Sequence, residues 1–411
     1  MKISDVKARQ ILDSRGFPTV EAQVTLPDGT VGVGSAPSGA STGSHEAHEL
    51  RDGGAAFGGK GVLGAVENAN SFIRNALVGL DCENQAEIDR AMNDLDDSGN
   101  KVHIGANSMI AVSWAAADAA AKHYKLPLYR YLGGIQGGAM PCPMMNVING
   151  GRHADNNLDI QEFMFVPLGA DSFSEAMRMG AECYHALKEL LAVERLNTSV
   201  GDEGGFAPNL ECDEAAFEYM MRAIEKAGWK PGADVCLAVD AAASEWMEDG
   251  HYLQPKSGKR YQRGELIDYF CGLAARFPIV SIEDPLGEED FDGFRDITNL
   301  IGEKAMIVGD DLFTTNEARL MKGIESGAAN AILIKPNQIG TVSETLDTIN
   351  LARRNGYNVI ISHRSGETES THIADLAAAV NAEFIKSGAP ARSERLAKYN
   401  RLMEIEQMQG K

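Results

Sequence analysis

The chain has 411 residues, 44% of them hydrophobic and 24% charged, with a formal net charge of −21. That length suits one large domain plus a smaller one, and the acidity excludes nucleic acid or an anionic membrane surface as main partner. The nearest thing to a membrane span, residues 108–121, is broken by Asp118, and six scattered cysteines with no C-x-x-C pair point to reduced thiols in a cytoplasmic protein.

Residues 6–12, 20–26 and 30–34, with a turn at Pro27-Asp28-Gly29, predict a small antiparallel meander. Next comes Ala36-Pro-Ser-Gly-Ala-Ser-Thr-Gly43. This loop is either a plain connection or a mobile segment bringing N–H groups and hydroxyls to a phosphate or metal. Three motif resemblances fail. Gly54-x4-Gly59-Lys60 lacks the Ser/Thr of a P-loop, and Gly32-x-Gly34 lacks the third glycine of a dinucleotide fingerprint. The pair His45 and His48 reads as part of a solvated helix. Helical periodicity then covers residues 63–77, 85–95 and 106–124. A meander followed by helices predicts an α+β domain over residues 1–132, joined by the glycine-rich stretch 132–138 to a second domain over 133–411.

Residues 140–148 and 160–167 read as strands, and the turn-rich stretch between them is too short for a crossover helix, so an antiparallel pair is expected. After a helix at 174–195, short apolar runs repeatedly end in polar residues: Val200 before Asp202 and Glu203, then runs before Asp240, Glu283, Asp310, Lys335, His363 and Lys386. Most follow one another at roughly the 30 residues of a βα unit, the pattern of an α/β barrel whose strand tips share one mouth. The stretch Pro278-Ile-Val-Ser-Ile-Glu-Asp-Pro285 is representative, with Asp284 reading as a helix cap.

Three carboxylates on successive strands, Asp240, Glu283 and Asp310, without cysteine or histidine, suit Mg²⁺ or Mn²⁺. Lys335, Arg364 and Lys386 across the mouth suit a small, highly anionic substrate such as a phosphorylated carboxylic acid. Lys335, ringed by metal and cations, is expected to have a depressed pKa and to serve as a base; its plainer role is a point charge for phosphate. Glu203, kept protonated by neighbouring Glu162, is expected to donate a proton to a leaving group.

At these residues the sequence resembles the enolase (phosphopyruvate hydratase) family over nearly its whole length. The matching stretches include Gln10-Ile-Leu-Asp-Ser-Arg-Gly16, Pro37-Ser-Gly-Ala-Ser-Thr-Gly43, Gly201-Asp-Glu-Gly-Gly-Phe-Ala-Pro208, Ser281-Ile-Glu-Asp-Pro285, Lys335-Pro-Asn-Gln-Ile-Gly340 and Ser362-His-Arg-Ser-Gly-Glu-Thr368. The resemblance implies an α+β N-terminal domain before a modified α/β barrel with an antiparallel second strand. It implies reversible dehydration of 2-phosphoglycerate to phosphoenolpyruvate, with two Mg²⁺ per site. On matching positions Lys335 would be the base and Glu203 the acid, with Glu162 beside it. Asp240, Glu283 and Asp310 would hold one magnesium, and Ser41 would help with the second. His153, Gln161, His363, Arg364, Ser365 and Lys386 would line the substrate pocket. A Lys base working with magnesium is the general arrangement described for this superfamily. The resemblance further implies a homodimer or octamer, and a cell-surface or secreted fraction in which terminal Lys411 contacts plasminogen. Phe17, Ser44 and Ala241 depart from the residues usual in the family.

Two other readings compete. An acid-sugar dehydratase of the same superfamily would share the metal carboxylates but lack the 38–43 loop and the Arg364-Ser365 pair. A binding protein that kept the fold would be free to lose Glu203, Lys335 or the metal acids, and all are present.

Overall fold

The computed structural model describes residues 1–40 and 43–410. The expectations placed on Ser41 and on Lys411 therefore fall outside the described residues. Strands β1 (Asp5–Leu12), β2 (Pro18–Thr25) and β3 (Val31–Ser35) form an antiparallel sheet in that order. Alternation along β2 buries Val20, Ala22 and Val24, and the helix Ala106–His123 packs closely on the sheet. Glycine permits that approach: a Cβ on Gly32 would lie 2.1 Å from the Ala115 carbonyl oxygen. Residues 43–52, expected to be helical around His45 and His48, are turn and extended chain instead.

In chain order the remaining strands are β4 (Cys142–Asn149), β5 (Glu162–Val166), β6 (Cys236–Asp240), the short β7 (Met247–Glu248), β8 (His251–Leu253) and β9 (Arg260–Tyr261), then β10 (Ile279–Glu283), β11 (Met306–Gly309), β12 (Ala331–Ile334), β13 (Asn358–Ser362) and β14 (Phe384–Lys386). Strands β7–β9 make a separate small sheet. The others close into a barrel in the order β10-β11-β12-β13-β14-β4-β5-β6. As expected from the short connection, β5 runs antiparallel to β4; it also opposes β6, and every other pair is parallel. Val200 does not lead a barrel strand. It makes only a bridge to Phe206, so Glu203 stands on a loop turn between helices Phe173–Val193 and Asp213–Lys226.

Side-chain parity aims the strand tips. Met144, Met164, Cys236, Ala238, Val308, Ala331, Leu333 and Ile360 fill the barrel interior, while their strand neighbours Phe163, Phe165, Leu237, Val239, Ile332 and Ile334 face the surrounding helices. Counting on in steps of two along each strand reaches Glu162, Asp240, Asp310, Lys335 and Lys386. Strand β10 needs a correction to join them. An irregularity between Ile279 and Ser281 inserts one residue against β6, so Ser281 pairs with Ala238 and Glu283 with Asp240. The bulge re-aims Glu283 into the mouth.

Candidate active site

The mouth is lined by six carboxylates (Glu162, Glu203, Asp240, Asp284, Asp310, Asp311) against three basic side chains (Lys335, Arg364, Lys386), with His153, Gln161, His363 and Ser365 between them. Lys386 donates to Glu283 at 2.8 and 3.0 Å and to Asp240 at 3.3 Å, and lies 3.1 Å from Glu162. Burial opposes its charge, but those three acids hold its ammonium well above the usual lysine range. Gln161 reaches Asp240 at 3.3 Å. Asp310 takes hydrogen bonds from Gln338 at 2.9 Å and from the Lys335 ammonium.

The donor set fits a hard cation. Asp240, Glu283 and Asp310 sit at adjacent strand tips and are all buried. Burial, then the Asp240 charge, push Glu283 well above the normal carboxyl range. A cluster in which acids outnumber cations is relieved by a divalent ion bound through oxygen. Carboxylate oxygens of Asp284, Asp310 and Asp311 also lie within 4.8 Å of one another. Asp284, however, is occupied with structure: it accepts the N–H groups of Asp310 and Asp311. It is therefore no helix cap; Asp290 caps the next helix, Phe291–Ile301.

The acid side is built differently. Ligand atoms of His153, Glu162 and Glu203 lie within 4.8 Å of one another, and Asn146 donates to Glu203 at 3.0 Å. Burial and the Glu203 charge raise Glu162 well above its usual range. Burial also penalises charge on Glu203, but His153, His363 and Arg395 outweigh it and hold this carboxyl well below. The two shifts run in opposite directions, Glu162 up and Glu203 down, whereas the sequence placed the raised carboxyl at Glu203. Lys335 is reversed too. Burial pushes its ammonium toward neutrality, but the surrounding carboxylates, Asp310 first and then Glu283, leave its pKa raised.

The Arg364–Ser365 side of the mouth joins the two parts of the chain. Arg364 pairs with Glu46 at 2.8 and 3.1 Å, and Ser365 lies 3.4 Å from Nε2 of His153. Ser38 and Gly366 exchange backbone hydrogen bonds at 2.8 Å, pinning the start of the glycine-serine loop to the barrel. Ser44 bonds Glu288 through its N–H, at 3.1 Å, and through its hydroxyl. All the expected site residues among those described converge here. Sequence reasoning misses Glu46, Asn146, Asp284, Gln338 and Arg395 as members of the site; only Asp284 and Gln338 lie in stretches with a readable signature, and Asp284 reads there as a helix cap.

The chain matches the family model for "Enolase, N-terminal domain" over residues 3–132 and that for "Enolase, C-terminal TIM barrel domain" over residues 138–411. It is 56% identical over 404 residues to an Enolase of a Nitratiruptor species, covering 98% of this chain and 96% of that relative. No helix among the described residues is long and apolar enough to cross a membrane. With family models covering almost its full length and a relative of that identity, the chain belongs to the enolase family, which entails a metal-dependent lyase acting on a small molecule.

Proposed function

We propose that the mouth carries out reversible dehydration of 2-phospho-D-glycerate to phosphoenolpyruvate, the activity of a phosphopyruvate hydratase. The observation that carries this reading is the division of the site: the largely buried Lys335 on one side, the buried pair Glu162 and Glu203 on the other, and carboxylates between them. Lys335 removes the C2 proton. With Asp310 engaged by a cation, burial, Arg364 and Lys386 would press this ammonium toward neutrality. Glu203 donates the proton that assists loss of the C3 hydroxyl, with the carboxyl group of Glu162 beside it. His363 and His153, both pushed toward the neutral form by burial, orient that hydroxyl. Arg364 and Ser365 hold the phosphate, and Gln161 and Lys386 position the carboxylate end.

Asp240, Glu283 and Asp310 would hold one Mg²⁺, and Ser41 with the phosphate a second. Bound there, magnesium supplies the positive charge that steadies a doubly negative enolate. The division of the chain near residue 132 and a homodimeric assembly in the cytoplasm belong to the same proposal.

The test is direct. Purified protein with magnesium and 2-phosphoglycerate is expected to generate the ultraviolet absorbance of phosphoenolpyruvate, and a chelator to stop it. No turnover in excess magnesium would refute the reading.

A further inference from the structure

Arg395 touches the acid side and the phosphate side of the mouth at once. It lies in the first turn of the helix Ser393–Met408 and is wholly buried. Its Nη1 donates to Nδ1 of His363 at 2.5 Å and to the Arg364 carbonyl at 2.6 Å. Its Nη2 donates to the carbonyls of Ser365 at 2.5 Å and Asp202 at 3.1 Å. Its one ion pair among the described residues, Glu394 at 3.6 Å, engages only Nε. A buried guanidinium facing three neutral carbonyls and an imidazole is costly to keep unless it orders something.

What it orders follows from donor chemistry. Arginine has no acceptor and does not give up its proton, so Nδ1 of His363 must accept. The ring proton of a neutral His363 then sits on Nε2, and Nε2 faces Oε2 of Glu203 at 3.6 Å. The three carbonyls belong to the residue preceding Glu203 and to the two residues assigned to the phosphate. Room for the side chain comes from Gly388: a Cβ there would stand 3.0 Å from Cδ of Arg395 and 2.5 Å from the Glu203 carbonyl.

We infer that Arg395 is a positioning residue for the acid half of the reaction: it fixes His363 as the Nε2–H tautomer facing Glu203 and staples the Glu203 loop to the His363–Ser365 loop. This rests on the assignment of Glu203 as the acid. Burial, which pushes His363 down to about 4 against the pull of Glu203, keeps the ring neutral at neutral pH and so makes the tautomer matter. A tautomer held the wrong way round presents a lone pair where a donor is needed, and hydrogen-bond partners that set tautomers are correspondingly sensitive.

Two measurements test this. In ¹⁵N-histidine spectra of the full chain, with the His363 signals identified by their loss in His363→Gln, a protonated Nε2 and a bare Nδ1 are expected at neutral pH. A protonated Nδ1 overturns the inference. This readout does not depend on turnover, so it stands or fails apart from the reaction itself. In Arg395→Met, phosphoenolpyruvate formation is expected to fall about 100-fold while exchange of the substrate's C2 proton falls less than about tenfold, with Arg395→Lys recovering part of the loss. Equal losses in both activities, or none, would overturn it; for a variant that does not fold, the spectrum of the native chain decides.

Discussion

The carboxylate of Asp284 accepts the backbone N–H of Asp310 at 3.0 Å, and that of Asp311 at 2.8 Å, so the end of β10 holds the end of β11 in place. Asp284 itself has a left-handed backbone, φ 41°, which Asp tolerates better than most residues. One acid thereby orients another that we assign to the metal. Asp284→Ala is expected to weaken magnesium binding by about 10- to 100-fold, the usual cost of removing a partner that orients a ligand. Calorimetric titration with magnesium checks this, and unchanged affinity would show that Asp310 orients itself.

Glu46 makes a further link between the two parts of the chain. Its carboxylate lies on the Arg364 guanidinium, with both side chains nearly buried. A phosphate arriving at Arg364 must share it with Glu46. Replacing Glu46 by Gln removes the competing charge, so affinity for inorganic phosphate is expected to rise by about tenfold, the effect of roughly 1.4 kcal/mol. Competition against substrate turnover measures it. A weaker phosphate affinity would mean that Glu46 serves to aim Arg364.

Outside the mouth, Asp213 predicts a pH dependence of stability. It accepts the Asp159 N–H at 2.9 Å, and Asp159 in turn accepts the N–H groups of Lys256 and Ser257. Burial, then the Asp159 charge, lift the Asp213 carboxyl to about 7 from 3.8. The folded chain therefore holds a proton that the unfolded chain releases between those values. Its stabilising contribution is complete at acid pH and is lost as pH rises through 7, up to about 4 kcal/mol over the whole window. Asp213→Asn keeps the acceptor without the charge. Its melting temperature is expected to gain on that of the unsubstituted chain from pH 5 to pH 8; a constant difference would contradict the assignment.

These residues show where sequence stops being legible. Asp240, Asp310, Lys335 and Lys386 end short apolar runs at βα spacing, so their strands and shared destination can be read from the chain, while their phase shows only in the closed barrel. Glu283 is readable as a strand tip, but its aim depends on a bulge that leaves no mark in its composition. Glu203 is reached from a false premise, since its apolar neighbour Val200 forms no barrel strand. Glu46 and Arg395 are far in sequence from what they touch, and long-range hydrogen bonds carry no periodic signature. The pKa shifts of Lys335 and Glu203 run opposite to the expected direction for the same reason. The pull of Asp310 on Lys335, and of two imidazoles and Arg395 on Glu203, exists only in three dimensions.

The central claim is the division of labour between Lys335 as base and Glu203 as acid. Exchange of the C2 proton of 2-phosphoglycerate with deuterated solvent, followed by nuclear magnetic resonance in Lys335→Ala and Glu203→Gln, tests it most directly. Exchange is expected to vanish in Lys335→Ala and to persist in Glu203→Gln while phosphoenolpyruvate formation is lost in both. Equal loss of exchange in the two variants would contradict the account.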